Sequence, residues 1–104
     1  MWKKHKSKPL KGNTGETFRG KDILVTGGCG SIGSEIVKQL LRYQPKRVRV
    51  FDNNESGLFY LQEKLQSPKI RVLVGDIRDK ERLRLAVRGA DIVFHAAALK
   101  HVPL

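Results

Sequence analysis

Leu24-Val25-Thr26-Gly27-Gly28-Cys29-Gly30-Ser31-Ile32-Gly33 decides how this chain folds. An apolar strand runs into a glycine-rich turn, and an amphipathic helix follows at once. Upstream of the turn, Asp22-Ile23-Leu24-Val25 reads as a short buried strand. Downstream, Ile32, Ile36, Val37, Leu40 and Leu41 fall on one face at helical spacing. A helix N-terminus carries unpaired N–H groups and a partial positive charge, and glycines let a phosphate group approach the backbone there.

A glycine turn alone is weak evidence, so its surroundings matter. Arg47-Val48-Arg49-Val50-Phe51-Asp52 reads as a second strand ending in a carboxylate, and Asp52 lies 19 residues beyond Gly33. An acid about 20 residues on is the group that accepts hydrogen bonds from a ribose in a dinucleotide site. Strand, turn, helix, strand and acid agree on such a site.

The rest of the chain repeats the alternation. Glu55–Gln66 reads as a second helix with Leu58, Leu61 and Leu65 as its apolar stripe, Asn53 or Asn54 as N-cap, and Ser67-Pro68 as its stop. Ile70–Val74 is a third strand ending at Gly75-Asp76. Asp79 caps a third helix, which places Leu83, Ala86 and Val87 toward the sheet and closes at Gly89. Ile92-Val93-Phe94 is a fourth strand running into His95-Ala96-Ala97-Ala98. The expected fold is α/β: a truncated, Rossmann-like, doubly wound parallel sheet with four strands in the order 3-2-1-4 and three helices. The crevice between strands one and four then receives the glycine turn and the stretch Ala96–Lys100.

Composition bounds the function. The chain has 104 residues, 39% of them hydrophobic, and no apolar run long enough to span a bilayer. Its basic start lacks a following apolar stretch, so no signal peptide and a cytoplasmic location are expected, with no membrane partner. The single cysteine excludes an internal disulfide. The net charge of +11 invites a nucleic-acid reading. However, residues 1–22 hold seven Lys or Arg against two Asp or Glu, so nearly half of the excess lies in one segment. Residues 1–20 are polar, aperiodic and interrupted by Pro9, Gly12 and Gly15, and are expected to form a mostly disordered basic tail ahead of a domain over 21–104. Neither aromatic–basic interleaving nor a helix-turn-helix pattern supports nucleic acid as the partner.

The fourth strand would lie at a sheet edge, yet Ile92, Val93 and Phe94 are apolar on both faces, with no charge, proline or bulge to protect them. Such strands normally lie inside a sheet. The chain therefore reads as the first part of a larger domain, marginally stable alone or self-associating through that edge.

With these residues in place, the chain resembles the extended short-chain dehydrogenase/reductase superfamily, through Thr26-Gly27-Gly28-Cys29-Gly30-Ser31-Ile32-Gly33. His95-Ala96-Ala97-Ala98-Leu99-Lys100-His101-Val102-Pro103-Leu104 looks like the signature of its polysaccharide-biosynthesis branch, the UDP-N-acetylglucosamine 4,6-dehydratases and related nucleotide-sugar epimerases, and Gly75-Asp76-Ile77-Arg78-Asp79 fits it too. The resemblance covers residues 20–104 and implies the following roles. The backbone at Gly27, Cys29, Gly30, Ser31, Ile32 and Gly33 holds a pyrophosphate. Asp52, Asn53, Asn54 and Glu55 surround the adenosine ribose. Asp76 bonds the adenine amino group and Ile77 packs on its ring. Ala96 and Ala97 lie beside the nicotinamide end, and Lys100 touches both cofactor and sugar nucleotide. NAD is favoured over NADP, because Asp52 repels a 2′-phosphate and Asn53-Asn54 supplies no cation.

In relatives NAD⁺ oxidises the sugar at C4, a base takes the C5 proton, water leaves C6 and the hydride returns there; epimerases return it at C4. The Tyr/Lys pair that handles the protons in relatives lies downstream of the Ala-Leu-Lys-His-Val-Pro stretch, so no catalytic residue is assigned here. Tyr60 and Lys64 have the Tyr-x-x-x-Lys spacing but lie on the second helix, away from the crevice. Cys29 reads as a small turn residue, and His95 and His101 without clustered acids make a weak metal pair, His95 packing at its strand end. The expected function is the NAD(P)-binding portion of a nucleotide-sugar 4,6-dehydratase or epimerase of surface polysaccharide or glycan biosynthesis, not catalytic alone. The alternative is a non-catalytic nucleotide-binding or interaction module, such as a subunit completed by another chain.

Overall fold

In the computed structural model, which describes residues 14–99, four parallel strands form one sheet in the order β3-β2-β1-β4. The elements are α1 (Thr14–Phe18), β1 (Asp22–Thr26), α2 (Ser31–Leu40), β2 (Arg47–Asp52), α3 (Glu55–Leu65), β3 (Ile70–Val74), α4 (Lys80–Val87) and β4 (Ile92–His95). Single 3-10 turns follow α2 at Leu41–Tyr43 and β4 at Ala96–Leu99. The expected strand order holds. The three expected helices are α2, α3 and α4, and α1 is an additional short one.

Central β1 pairs on both sides and is buried along its whole length, because α2 and α3 cover one face of the sheet and α4 the other. Val25 stands opposite Val50 and Phe94, and Thr26 opposite Phe51 and His95. Strand alternation sends Ile23, Val25, Val48, Val50 and Ile70 to one face, where they pack with Val37 and Leu40 of α2 and Leu58 and Leu61 of α3. The other face buries Leu24 and Phe51 under Ala86, with Leu83 half-buried beside them.

Helix termini follow local chemistry. Asn54 caps α3 by accepting the Gly57 N–H at 3.0 Å, and Asp79 caps α4 by accepting the Arg82 N–H at 3.2 Å. Gln66 ends α3 in the left-handed region at φ 46°, one residue earlier than expected.

Two helical faces differ from the sequence reading. Ile32 is 50% exposed rather than buried with Val37 and Leu40, because α2's first turn opens onto the crevice. Val87 is 39% exposed at the end of α4, and Ala90 takes its place against the second face. Residues 1–13 lie outside the described residues. Thr14–Phe18, expected as part of an unstructured tail, are helical instead. The reason is Phe18, whose ring packs 5.6 Å from Tyr43 and 6.1 Å from Phe94.

One buried ion pair ties the second face together. Asp22, 6% exposed, accepts Arg49 Nε at 2.9 Å and its terminal nitrogen at 3.0 Å. Arg47 Nε adds a third contact at 3.1 Å. The remaining Arg49 nitrogen donates to the Ala86 and Arg88 carbonyls, each at 2.7 Å, so one side chain joins β1, β2 and the end of α4.

Candidate functional site

At the carboxyl ends of the strands, the glycine turn leaves β1 and passes close to the start of the last turn. Gly27 has φ +73°, and a Cβ there would stand 2.7 Å from the Ala97 nitrogen. At Gly33 a Cβ would overlap the Gly27 carbonyl oxygen, so α2 packs against the turn only through glycine. Gly30 precedes α2 in extended conformation and offers no capping side chain. The amides of Ser31, Ile32 and Gly33 are among those a helix leaves without an intrahelical acceptor, and the N-cap Gly30 gives them no side-chain hydrogen bond. Two amides of the expected cradle have internal partners: Cys29 N–H donates to Asp52 Oδ2 at 2.9 Å and Gly30 N–H to the Gly27 carbonyl at 3.2 Å. The three helix amides are therefore the ones at this turn that remain for an anion to meet.

The acid at the tip of β2 meets this turn. Asp52 Oδ2 takes the Cys29 N–H, and Oδ1 takes the Asn54 N–H at 3.0 Å. Each carboxylate oxygen has a second lone pair for an incoming hydroxyl. Asp76 at the tip of β3 repeats the pattern, with Oδ1 accepting the Arg78 N–H at 2.8 Å. The Arg78 guanidinium also forks onto Asp76, its terminal nitrogen 2.7 Å from Oδ2 and its Nε 3.0 Å from Oδ1. That contact, with the Arg78 N–H bond, holds the Asp76 carboxyl at about 2, below its ordinary 3.8, and raises the Arg78 guanidinium.

A cavity of about 270 Å³ lies between these tips, lined by Gly27, Asp52, Asn53, Asp76, Ile77 and Ala97 among others, with Arg78 at its rim. It offers two carboxylates, an apolar side chain and a backbone floor. Asn54 and Glu55 do not line it: Asn54 is the α3 cap and Glu55 lies exposed in the first turn of α3. Ala96 is 5% exposed beneath the cavity. Lys100 and His101 lie outside the described residues.

Three features were not found from sequence. Arg78 brings a cation to the cavity that a search beside Asp52 along the chain does not see. Thr26, fully buried, bonds through Oγ1 to His95 Nδ1 at 2.6 Å, joining the ends of β1 and β4. His95 is itself exposed, so it is held by that bond rather than by packing at the strand end. Arg82 covers the end of β3 by donating to the Val74 carbonyl. Among the described residues no group of three metal-ligating side chains occurs. Tyr60 is 65% exposed, with the Lys64 ammonium 5.9 Å from its ring centre, on a helix that contributes no residue to the cavity.

Residues 23–104 match the family described as polysaccharide biosynthesis protein. The chain is 61% identical over 87 residues to a protein of Methanocaldococcus jannaschii described as an uncharacterized membrane protein, covering 84% of this chain and 26% of that one. It is 46% identical over 88 residues to a UDP-N-acetylglucosamine 4,6-dehydratase (inverting) of Campylobacter jejuni, covering 84% of this chain and 26% of the relative. It also superposes on the Bordetella bronchiseptica enzyme WbmF, crystallised with NAD⁺ and UDP, with a TM-score of 0.63 and 30% identity. That superposition covers 76% of this chain and 23% of WbmF. The chain thus spans about a quarter of the length of the proteins it matches. No helix among the described residues is long and apolar enough to cross a membrane. A glycine turn clamped to a strand-tip acid in a 3-2-1-4 parallel sheet, together with a match over most of its length, makes the chain a member of the polysaccharide biosynthesis protein family, within the extended short-chain dehydrogenase/reductases.

Proposed function

We propose that this chain is the NAD-binding portion of a nucleotide-sugar 4,6-dehydratase or epimerase of surface polysaccharide or glycan biosynthesis. The observation that carries the reading is the 2.9 Å bond between Cys29 N–H and Asp52 Oδ2, which brings the glycine turn within one hydrogen bond of the acid. A dinucleotide needs an anion site and a ribose acceptor at such a spacing. In this reading the amides of Ser31, Ile32 and Gly33 take the pyrophosphate, while Gly27, Cys29 and Gly30 shape the turn. Asp52 accepts from the adenosine ribose with Asn53 beside it, and Asn54 and Glu55 act by holding the start of α3. Asp76 accepts from the adenine amino group and Ile77 packs on the ring. Ala96 and Ala97 face the nicotinamide half, and Lys100 spans cofactor and sugar nucleotide. When bound, NAD supplies the hydride acceptor.

NAD is preferred to NADP because Asp52 disfavours a second phosphate beside the ribose, and the nearby cation, Arg78, is engaged by Asp76. The relative crystallised with NAD⁺ and UDP supports the same choice and a UDP-sugar substrate. A cytoplasmic location fits the compartment of both ligands. The β4 edge, with Val93 45% exposed, is the proposed surface for self-association.

Titrating the chain with NAD and NADP tests the reading. NAD should bind more tightly than NADP. Asp52→Ala should weaken NAD by about tenfold or more, as expected for a lost charged hydrogen bond, and Gly30→Val should weaken it further. Equal affinity of wild type and both variants would reject the site.

A further inference from the structure

We propose that the amino end of the sheet, opposite the crevice, is an electrostatic docking surface for an anionic lipid bilayer. Because all strands run the same way, the segments entering them meet at one end. Gly20 N–H donates to the Gln44 carbonyl at 3.0 Å, Lys46 N–H to the Lys21 carbonyl at 2.8 Å, and Val48 N–H to the Lys69 carbonyl at 2.9 Å. Asp91 N–H joins them by donating to the Asp22 carbonyl at 2.7 Å. These segments carry Arg19, Lys21, Arg42, Lys46, Lys69 and Arg88; the acids beside them are Glu16, Asp22, whose carboxylate is taken by Arg47 and Arg49, and Asp91, whose Oδ2 already accepts the Asp22 N–H. Arg19 faces Glu16 at 3.8 Å; the other five cations form no ion pair among the described residues. All but half-buried Lys69 are exposed.

Folding does not account for this concentration of charge. Arg42 and Arg88 follow helix C-termini, where a cation offsets the helix dipole. Lys21, Lys46 and Lys69 stand immediately before strands, where no such effect operates. The chain ahead of α1 adds Lys3, Lys4, Lys6, Lys8 and Lys11 with no acid, and α1 itself packs at this end through Phe18 on Tyr43.

Side-chain chemistry favours a bilayer over a nucleic acid. Lysine is a hydrated point charge suited to diffuse attraction; it supplies three of the six cations at this end and every cation of the sequence ahead of α1. Single-stranded binding needs exposed aromatic platforms, and the aromatics at this end among the described residues, Phe18 and Tyr43, are half-buried and pack against each other with their rings tilted by 51°. Peripheral adsorption needs no apolar span, so it departs from the expectation of no membrane partner without requiring a spanning helix. It also leaves the crevice facing away from the lipid.

The test is co-sedimentation of the full chain with phosphatidylcholine vesicles, with and without phosphatidylglycerol, alongside a short DNA duplex at the same salt. Binding is expected only to the anionic vesicles, and it should vanish at roughly 0.5 M salt. At about fivefold per cation, Lys21→Ser/Lys46→Ser/Lys69→Ser should lower vesicle partition about a hundredfold while NAD affinity stays unchanged. Should the triple variant melt early, Arg42→Ser/Lys46→Ser replaces it, with an expected loss of about twentyfold. Equal binding to neutral vesicles, wild-type partition of the variant, or tighter binding to the duplex than to anionic vesicles would overturn the proposal. NAD titration in the same samples reports on the cofactor site independently.

Discussion

The two ends of the sheet use charge in opposite ways. At the amino end, Asp22 is buried and its carboxylate is consumed by Arg49 and Arg47. At the carboxyl end, Asp52 and Asp76 are partly exposed, and the bonds they make are to amides and a cation around a cavity. A carboxylate saturated inside the protein locks elements together. One left with free lone pairs beside a cavity is available to a ligand. Identical side chains at the two ends of one sheet thus serve stability in one place and, in the proposed function, recognition in the other.

The largest effect expected from this contrast is at the amino end. Arg49→Ala leaves Asp22 with Arg47 as its one charged partner and removes the donor to the Ala86 and Arg88 carbonyls. Breaking a buried pair from one side typically costs about 3–5 kcal/mol, and the remaining Arg47 contact puts the expected loss near 3 kcal/mol. Urea denaturation would measure it, and a loss below about 1 kcal/mol would show that the pair is no lock. Asp22→Leu/Arg49→Leu should recover much of the stability, because it removes the uncompensated charge as well.

At the carboxyl end the same experiment should give the reverse result. Asp52→Asn keeps an oxygen for the Cys29 or Asn54 amide but removes the charge, so stability should change by less than about 1 kcal/mol. NAD affinity should fall by about tenfold, whereas Arg49→Ala, once folded, should bind NAD like wild type. If both substitutions changed both quantities equally, the two ends would not be functionally distinct.

What the sequence made legible was periodic or local. Short apolar or alternating runs bounded by turn residues placed β1 to β4, the caps were visible at Asn53 or Asn54 and at Asp79, and the spacing of Asp52 from the glycines led to the turn it meets. What it hid depends on partners distant in the chain. Thr26 and His95 are 69 residues apart, and only the pairing of β1 with β4 brings them together. Arg49 reads as one more polar position in an alternating strand until α4 lays its last carbonyls over it. Ile32 is exposed although helical spacing groups it with Val37 and Leu40, because that spacing gives a face but not where along the helix the sheet's cover ends. Phe18 belongs to a segment too short to show any period, and its ring contacts are made across the fold.

The smallest effect is also the most specific probe of the carboxyl end. Asp76 is held at about 2, first by the Arg78 side chain and then by the Arg78 N–H. A carboxyl depressed in the folded state stabilises the fold above its ordinary value of 3.8, and that contribution disappears as pH falls through about 2. The pair is exposed, with the Arg78 side chain at 86%, so solvent and salt leave little of it visible in a melting curve. A side-chain NMR titration reads it directly. In Arg78→Ala the Asp76 midpoint should rise from about 2 toward 3.8. A midpoint that stayed near 2 would transfer the effect to the backbone amide of residue 78, which the substitution leaves in place. Asp76 would then be shaped by its turn alone, as the Asn54 amide shapes Asp52, and the two strand tips would differ only in which of them touches the glycines.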